Sequence, residues 1–294
     1  MGIDTVAVTG GNGFIGEAIL DDLRDHGYRT VNLARGKRRE DVSHRYIRTD
    51  LLAAGNVYGS LATAEADAIV HMGTLGSPKS NPGYEVYESN AMSTYHVLEA
   101  AEELGLEAVS IASSINAHGW SFQEEPPEIE YLPIDEEHPV SPRDPYGLGK
   151  RVAEVTAEGV ARRNSSPDRI ATLRISSAHS DEDLQTMADD DRTLADLREQ
   201  YDPGDNPTFR YIHVRDVARL AVRTIEPDAG YTGHETFWAV ASDTRVDVPT
   251  EDLLEAFYPE TEVRTELSGS DGLFDLSKAR DLVGWEPERS WRRL

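Results

Sequence analysis

Val6-Ala7-Val8-Thr9-Gly10-Gly11-Asn12-Gly13-Phe14-Ile15-Gly16 runs from an apolar strand through a glycine-rich turn into the helical pattern Glu17-Ala18-Ile19-Leu20-Asp21-Asp22-Leu23. Glycine spacing alone is a weak signal. Set between a buried strand and a helix start, it reads as the phosphate-gripping turn of a dinucleotide-binding βα unit. Gly10 permits the tight turn, Gly13 lets the backbone approach a pyrophosphate, and Gly16 lets the helix lie close on the strand. Asn12, Phe14 and Ile15 belong to the same turn and are expected to touch the same cofactor. A second strand, over 30–34, falls where the ribose-binding end of the next β should lie.

Beyond this unit, strand-like runs at 5–8, 30–33, 46–47, 68–71, 108–112 and 171–175 alternate with helical patterns at 16–25, 90–104 and 146–163. That alternation argues an α/β fold, a Rossmann-type doubly wound parallel sheet. Past Ser176 the regularity fails, with an acidic stretch at 180–191 and a Pro/Gly/Asp loop at 201–207. The expected division is a dinucleotide-binding Rossmann domain over 1–176, to which a strand and helix over 210–226 return. Residues 177–294 should then form mainly a small C-terminal substrate-binding lobe, with helices at 250–257 and 275–283.

The 294 residues, 38% of them hydrophobic, suit one globular core with a lobe beside it. No window approaches the roughly eighteen consecutive apolar residues of a membrane span, and the N-terminus enters a strand without a basic and apolar leader. The expected location is the cytoplasm. The absence of cysteine excludes disulfides, thiolate catalysis and cysteine metal sites, and no metal site is expected. Acidic residues outnumber basic ones 54 to 29, for a net charge of −25, and only four of the cations are lysines (Lys37, Lys79, Lys150, Lys278). Such a surface repels nucleic acid and anionic membrane, so neither is expected as a partner. Acid excess with so little lysine suggests a salt-rich, halophilic cytoplasm. Against that background the cluster Arg35, Lys37, Arg38 and Arg39 and the isolated Lys150 stand out.

Tyr146-Gly147-Leu148-Gly149-Lys150 opens a helix just after Pro142-Arg143-Asp144-Pro145, and a spacing of four puts phenol and ammonium on one helical face. A tyrosine of ordinary pKa, about 10, is a poor base at neutral pH, but a neighbouring ammonium and a positive nicotinamide ring both favour the phenolate. Ser113-Ser114 at the end of the fifth expected strand completes a possible acid/base set.

With these motifs the chain resembles the extended short-chain dehydrogenase/reductase family, also called the NAD-dependent epimerase/dehydratase family. The resemblance covers nearly the whole length. It is carried by 9–16, Asp50-Leu51, 68–73, and 90–101 with Asn90, Thr94, Leu98, Glu99 and Ala100 in family positions. It continues through Ser113-Ser114 followed by Gly119, then 146–150, Leu173-Arg174, 210–218, and 275–279 running on to 284–287. It implies a Rossmann domain with a small substrate lobe. It further implies Ser114 as the hydroxyl on the substrate oxygen, Tyr146 as general acid/base, and Lys150 as the residue that lowers its pKa and holds the nicotinamide ribose. Asp50 would meet the adenine amino group with Leu51 beside it, Gly73 would approach the inner ribose, and Asn90 would belong to the cofactor site. A homodimer or homotetramer built on the helices at 90–104 and 146–163 is also implied.

The acidic residue that NAD-specific members usually carry at the end of the second strand is replaced here by Ala34. Arg35 follows it, with Arg38 close behind, and arginine pairs bidentately with a 2′-phosphate. NADP is therefore the expected cofactor, with NAD possible. Within the family, the 4,6-dehydratase pattern is absent because Ser114 is followed by Ile115-Asn116 instead of an Asp-Glu pair. The nucleotide-sugar 4-epimerases resemble a pattern with an asparagine soon after Leu173-Arg174. Here Ile175-Ser176-Ser177 leads into Ser180-Asp181-Glu182-Asp183, a poor neighbourhood for a pyrophosphate. The runs 113–118 and 131–135 and the short lobe look most like the uronate dehydrogenase and sugar 1-dehydrogenase subgroup. The resemblance thus implies oxidation of a free sugar, an aldose such as L-arabinose or another pentose, at C1 to a lactone, with Ser77, Ser114, Asn116, His118 and Arg174 as candidate substrate contacts. A 4-epimerase is the second reading and a non-catalytic cofactor-binding regulator the third, although a regulator has no need of an intact Ser, Tyr and Lys set.

Self-repulsion at a net charge of −25 weakens folding at low salt, where the Debye length is on the order of 10 Å or more, and molar salt relieves it. The thermal midpoint, followed by circular dichroism, should rise steeply between about 0.05 and 2 M KCl. A midpoint that is flat or falls over that range would contradict the salt-rich reading.

Overall fold

A computed structural model of the chain describes residues 2–40, 42–76, 78–122, 124, 127–200 and 208–294. The strands are β1 (Thr5–Thr9), β2 (Arg29–Ala34), β3 (Arg45–Arg48), β4 (Ala68–His71), β5 (Ala108–Ser114), β6 (Tyr131–Leu132), β7 (Arg169–Ile175), β8 (Ala178–His179), β9 (Ile212–His213), β10 (Gly233–Ala239) and β11 (Glu262–Val263). The helices are α1 (Phe14–Asp25), α2 (Ala54–Ala64), α3 (Gly83–Leu104), α4 (Pro145–Ala161), α5 (Asp181–Ala188), α6 (Leu194–Gln200), α7 (Val214–Ile225), α8 (Thr250–Phe257) and α9 (Ser277–Val283). Seven strands form one parallel sheet in the order β10-β7-β5-β4-β1-β2-β3. The order reverses between β1 and β4. In doubly wound folds a ligand binds in the crevice at the carboxyl ends of the two strands flanking that reversal.

The central strands read as continuous apolar runs because both faces are covered. From β1, Val6 and Val8 pack with Ile19, Leu20 and Leu23 of α1 and with Val217, Leu220 and Ala221 of α7. Ala7 faces the other layer, with Val57 and Leu61 of α2, Val97 and Leu98 of α3 and Val160 of α4. A third apolar cluster, of Ile115, Trp120, Leu132, Ile134, Trp238 and Phe274, joins the residues beyond β5 and β10 to the C-terminal segment. Among the described residues no helix is long and apolar enough to cross a membrane.

Several elements differ from the sequence expectation. The strand expected near Arg210 does not enter the sheet: Ile212–His213 pairs only with β8. The seventh sheet strand is instead β10, which extends the edge beside β7. Its first half, Gly233-His234-Glu235-Thr236, is only half-buried and polar, so it carries no apolar signature. The acidic stretch at 180–191 contains a true helix, α5. A capping box between Ser180 and Asp183 starts it, and three acids in its first turn favour the helix dipole. The loop 201–207 lies outside the described residues.

Around the β1/β4 junction, hydroxyl and imidazole groups lock the crossover. Thr9 Oγ1 accepts from the backbone N–H groups of Met72 and Gly73, both at 3.0 Å. Its own proton goes to His71 Nδ1 at 2.7 Å. Ser93 donates to Ser89 O, so its oxygen accepts from His71 Nε2–H at 3.2 Å. This fixes the tautomer of a fully buried, neutral His71, whose pKa burial lowers from 6.5 to about 3 with help from the Lys150 charge. Below pH 6.5 the unfolded chain takes a proton on this residue that the fold refuses until about pH 3, so stability is complete above that window and falls as pH drops through it. Buried His234, pushed down to about 4, acts in the same direction, whereas Glu136, pushed up to about 7 by burial, opposes them. Urea midpoints in molar salt should fall between pH 6.5 and 4.5, and His71→Asn should flatten that slope by about one proton. An unchanged slope would contradict the neutral clamp.

Candidate functional site

The glycine turn is built by close approach. Gly10 has φ +71°, and a Cβ there would lie 2.9 Å from Gly73 Cα. A Cβ on Gly16 would lie 2.2 Å from Gly10 O, which no side chain survives. At Gly11 it would meet Asn32 Oδ1 at 2.5 Å, a packing demand the motif reading did not assign. Gly13 caps α1 without any side-chain bond, so no capping side chain takes up the first-turn N–H groups that an anion would use. Asn12 is held by Asn32 Nδ2 at 3.0 Å. Alongside lies a groove of about 600 Å³, walled by Gly10, Asn12, Gly13, Ala34, Arg35, Lys37, Arg38, Arg39, Leu51 and Gly73 among others. Close-packed Gly10 and Gly16, a helix start without a side-chain cap and a cationic far end fit a pyridine dinucleotide.

Not every expected cofactor residue reaches this groove. Arg38 Nη2 donates to Ser43 O at 2.7 Å and Arg39 Nη1 to Asn12 O at 3.2 Å, so part of the cationic cluster serves the loop itself. Asp50 is exposed beside the groove and accepts from Leu52 N–H, while Leu51 lines the wall. Asn90 is buried away from it: its amide donates to Leu75 O and Val86 O, and its Cβ lies 2.9 Å from where a Cβ on Gly149 would be. Its work is to brace α3 against α4 and the loop after β4.

A second cavity of about 480 Å³ shares the wall residues Gly10, Gly13, Met72 and Thr74 with the groove, so the two adjoin. Ser114, Tyr146 and Lys150 all line it, and so do Phe14, Ile15 and Gly16. Ser114 ends β5 and accepts from Asn116 N–H at 3.1 Å, which starts a short 3-10 turn. Asp144 caps α4 by accepting from the N–H groups of Tyr146 and Gly147 at 2.9 and 3.0 Å, with Pro145 preset for the first turn. Phe122 packs edge-on against the Tyr146 ring. Lys150 is buried, with Nζ donating to Ala112 O at 2.6 Å and Thr74 Oγ1 at 3.1 Å, and it sits 5.6 Å from the Tyr146 ring centre.

The electrostatics differ from the simple expectation of a ready phenolate. Burial raises the Tyr146 pKa above 10; the Ser114 hydroxyl pulls it back in part and the Asp144 carboxylate adds to the rise. Burial lowers Lys150 to about 7, opposed by Glu154. In the protein alone the proton therefore stays on the phenol, and it is the lysine that titrates near neutrality.

The proposed substrate contacts divide. Asn116 lines the cleft, but its amide donates to Asp144 Oδ2 and its oxygen accepts from Ser121 N–H, so both ends are committed to the scaffold. His118 does not line the cleft. It is buried between Trp120 and Trp238, ring centres 4.4 and 5.2 Å away, and bonds Pro139 O. Arg174 does not line it either. It turns behind β5, where Nε and Nη2 pair with Glu154 and Nη1 bonds Glu136 O. Ser77 lies outside the described residues. In their place the cleft presents Ser121, Ser176, Ser177 and Arg210, which the sequence reading did not single out as contacts. The sequence signal for Arg210 is its position at the start of the stretch 210–218, directly before Tyr211-Ile212-His213. Among the described residues no group of three His, Cys, Asp or Glu side chains is placed to hold a metal.

Known proteins agree with this architecture. A putative UDP-glucose 4-epimerase of Methanocaldococcus jannaschii is 28% identical over 155 residues, spanning 51% of this chain and only about half, 48%, of the relative. A UDP-glucose 4-epimerase of Rhizobium leguminosarum bv. trifolii is 26% identical over 97% of this chain and 93% of its own length. Among solved structures, a mutated uronate dehydrogenase superposes with a TM-score of 0.66 at 21% identity, covering 99% of this chain and 84% of that one. The profile of the NAD dependent epimerase/dehydratase family matches residues 6–237, from the first strand through most of the seventh sheet strand. The chain belongs to that family.

Proposed function

We propose that the protein is a cytoplasmic NAD(P)-dependent oxidoreductase that oxidises a free sugar, an aldose or a uronate, at C1 to the lactone. What carries this reading is the convergence of Ser114, Tyr146 and Lys150 on one cleft adjoining the glycine groove. The glycine turn and Leu51 would hold a nicotinamide nucleotide, and Lys150 would hold its ribose. When bound, that group supplies the hydride acceptor. Tyr146 takes the proton from the C1 hydroxyl, and Ser114 holds the same oxygen so that the hydroxyl stays aimed at the phenol. Lys150, when charged, offsets the burial that otherwise keeps the phenol protonated.

A preference for NADP is supported by Arg35 and Lys37 in the groove wall and by Ala34, which leaves no carboxylate at the end of β2. NAD remains acceptable to the same groove. A free sugar is favoured over a nucleotide sugar by the cleft rim, where Ser177 and Ala178 lead directly into the acidic first turn of α5. The 4-epimerase reading keeps one specific observation in its favour, since Arg210, a cation, lines the cleft. Self-association is supported by the outer faces of α3 and α4, where Tyr84, Tyr87, Met92, Tyr95, Leu148 and Val155 are exposed. A homodimer or homotetramer built through these faces would cover them.

In molar KCl, a panel of aldoses and uronates should give net cofactor reduction, with a higher kcat/KM for NADP than for NAD. Tyr146→Phe should lower kcat by at least about a hundredfold with cofactor affinity almost unchanged. Silence across the free sugars together with interconversion of a UDP-sugar would install the epimerase; a Tyr146→Phe variant indistinguishable from wild type would install the regulator. By sedimentation, the wild type should run as a dimer or tetramer, and the pair Tyr95→Glu with Val155→Glu should run as a monomer of unchanged circular dichroism. A wild-type monomer would refute the association.

A further inference from the structure

Behind the catalytic cleft, Glu154 lies one helical turn beyond Lys150 on α4, and its side chain is wholly inaccessible to solvent. A buried carboxylate is normally driven to protonate. Here three side chains from three elements prevent it. Ser113 of β5 donates to Oε1 at 2.6 Å; Arg174 of β7 donates through Nε to Oε1 at 3.0 Å and through Nη2 to Oε2 at 3.1 Å; Arg151 of α4 donates to Oε2 at 3.1 Å. Burial pushes the Glu154 carboxyl up, but these donors, Arg174 foremost, bring it below the ordinary range, so it is an ion at neutral pH. The remaining charged and titratable neighbours leave that charge in place. His234 of β10 is neutral, Glu158 is engaged by Arg151, and on the far side of Lys150 the imidazole of His71 is neutral.

We infer that Glu154 is a positioning residue for the catalytic pair: its clamped carboxylate keeps the Lys150 ammonium charged from one turn away, and through Ser113 it fixes the end of β5 that carries Ser114. A glutamine has the same shape, but its amide nitrogen cannot accept from Arg174 or Arg151, so Glu154→Gln removes the charge and also leaves buried donors short of an acceptor. The glutamate's charge opposes the burial that lowers the lysine, and it adds to the acceptors Ala112 O and Thr74 Oγ1 that already hold the ammonium. The Arg174 guanidinium, expected from sequence to touch substrate, acts instead by holding this carboxylate ionised. The inference rests on the reading of Tyr146 and Lys150 as the acid/base pair.

The chain has four lysines, so labelling lysine Cε with ¹³C gives few resonances, and Lys150→Arg identifies the one that matters. In the wild type that resonance should titrate near pH 7. In Glu154→Gln the inflection should move down by about one unit, and the alkaline limb of the pH profile for kcat should move the same way. Glu154→Asp, which keeps the charge, should restore both towards wild type. An unmoved Lys150 inflection in Glu154→Gln, whatever the loss in thermal midpoint, overturns the inference. Should that variant not fold, Ser113→Ala removes the tie to the end of β5 and leaves the ion in place; the Lys150 inflection should then stay near pH 7 while kcat falls, and an inflection that moves down, or a kcat equal to wild type, overturns the inference equally. The resonance is read without turnover, so failure of the sugar assays counts against the functional reading while the titration still decides the role of Glu154.

Discussion

The contact between the backbone of Gly10 and that of Gly73 is the constraint on which the rest of the cleft depends. Gly10 does not tolerate a Cβ, which would press on the Gly73 backbone, and one on Gly73 would displace Leu51 Cδ1 at 2.5 Å and crowd Thr9 Oγ1 at 3.0 Å and Gly10 N at 3.2 Å. The approach brings the ends of β1 and β4 together at the point where strand order reverses. Thr9, with its hydroxyl shared between His71 and two backbone N–H groups, holds it there. Both cavities share the walls made by this contact, so a shift of one strand end alters the glycine groove and the Ser114–Tyr146 cavity together.

Burial works on two scales around that junction. The sheet supplies the free energy of folding through apolar strands covered on both faces, roughly 25 cal/mol for each Å² of apolar surface removed from water. The same dryness places Lys150, His71, Glu154 and Arg174 in a medium where each charge must be answered by a neighbour or given up. His71 gives up its charge, Glu154 and Arg174 answer one another, and Lys150 is left near the balance point. A lysine at that balance responds to small changes in its surroundings, which is what a proton-transfer site at neutral pH needs.

Legibility in the sequence tracked how local each signal was. The first βα unit, the apolar strands and α8 could be read because burial on both faces, glycine sterics and helix periodicity act over a few neighbouring residues. β10 could not, because an edge strand with a half-exposed polar start shows neither alternation nor an apolar run. α2 was passed over for a related reason: Gly55 and Gly59 weaken its propensity and its N-cap Ala53 makes no side-chain bond, so packing of Val57 and Leu61 carries it. That Ser114, Tyr146 and Lys150 lie along one cleft is legible from motif spacing. The directions of Asn116, His118 and Arg174 are not. Arg174 and Ser113 lie on adjacent parallel strands at paired positions, and only the three-dimensional register sends both to Glu154 on the α4 side.

The distribution of cations gives the strongly acidic composition its functional sense. A net charge of −25 repels any phosphorylated cofactor at long range, yet the groove beside Gly13 is rimmed by Arg35, Lys37, Arg38 and Arg39. Repulsion between exposed charges decays over about 8 Å at physiological ionic strength and about 3 Å at 1 M salt. An anion already inside the groove lies within contact range of the cationic rim, where screening is weakest. Salt therefore removes the penalty of the acidic surface sooner than it removes the attraction of the groove, and the same condition that relaxes self-repulsion in the fold leaves the groove selective for anions. Lys150 and Arg174 are beyond this trade altogether, since both are buried and their partners sit within hydrogen-bond distance. The electrostatics of the surface and of the buried cleft are in this way separable, and a salt-dependent change in stability carries no requirement for a matching change in the protonation of Lys150.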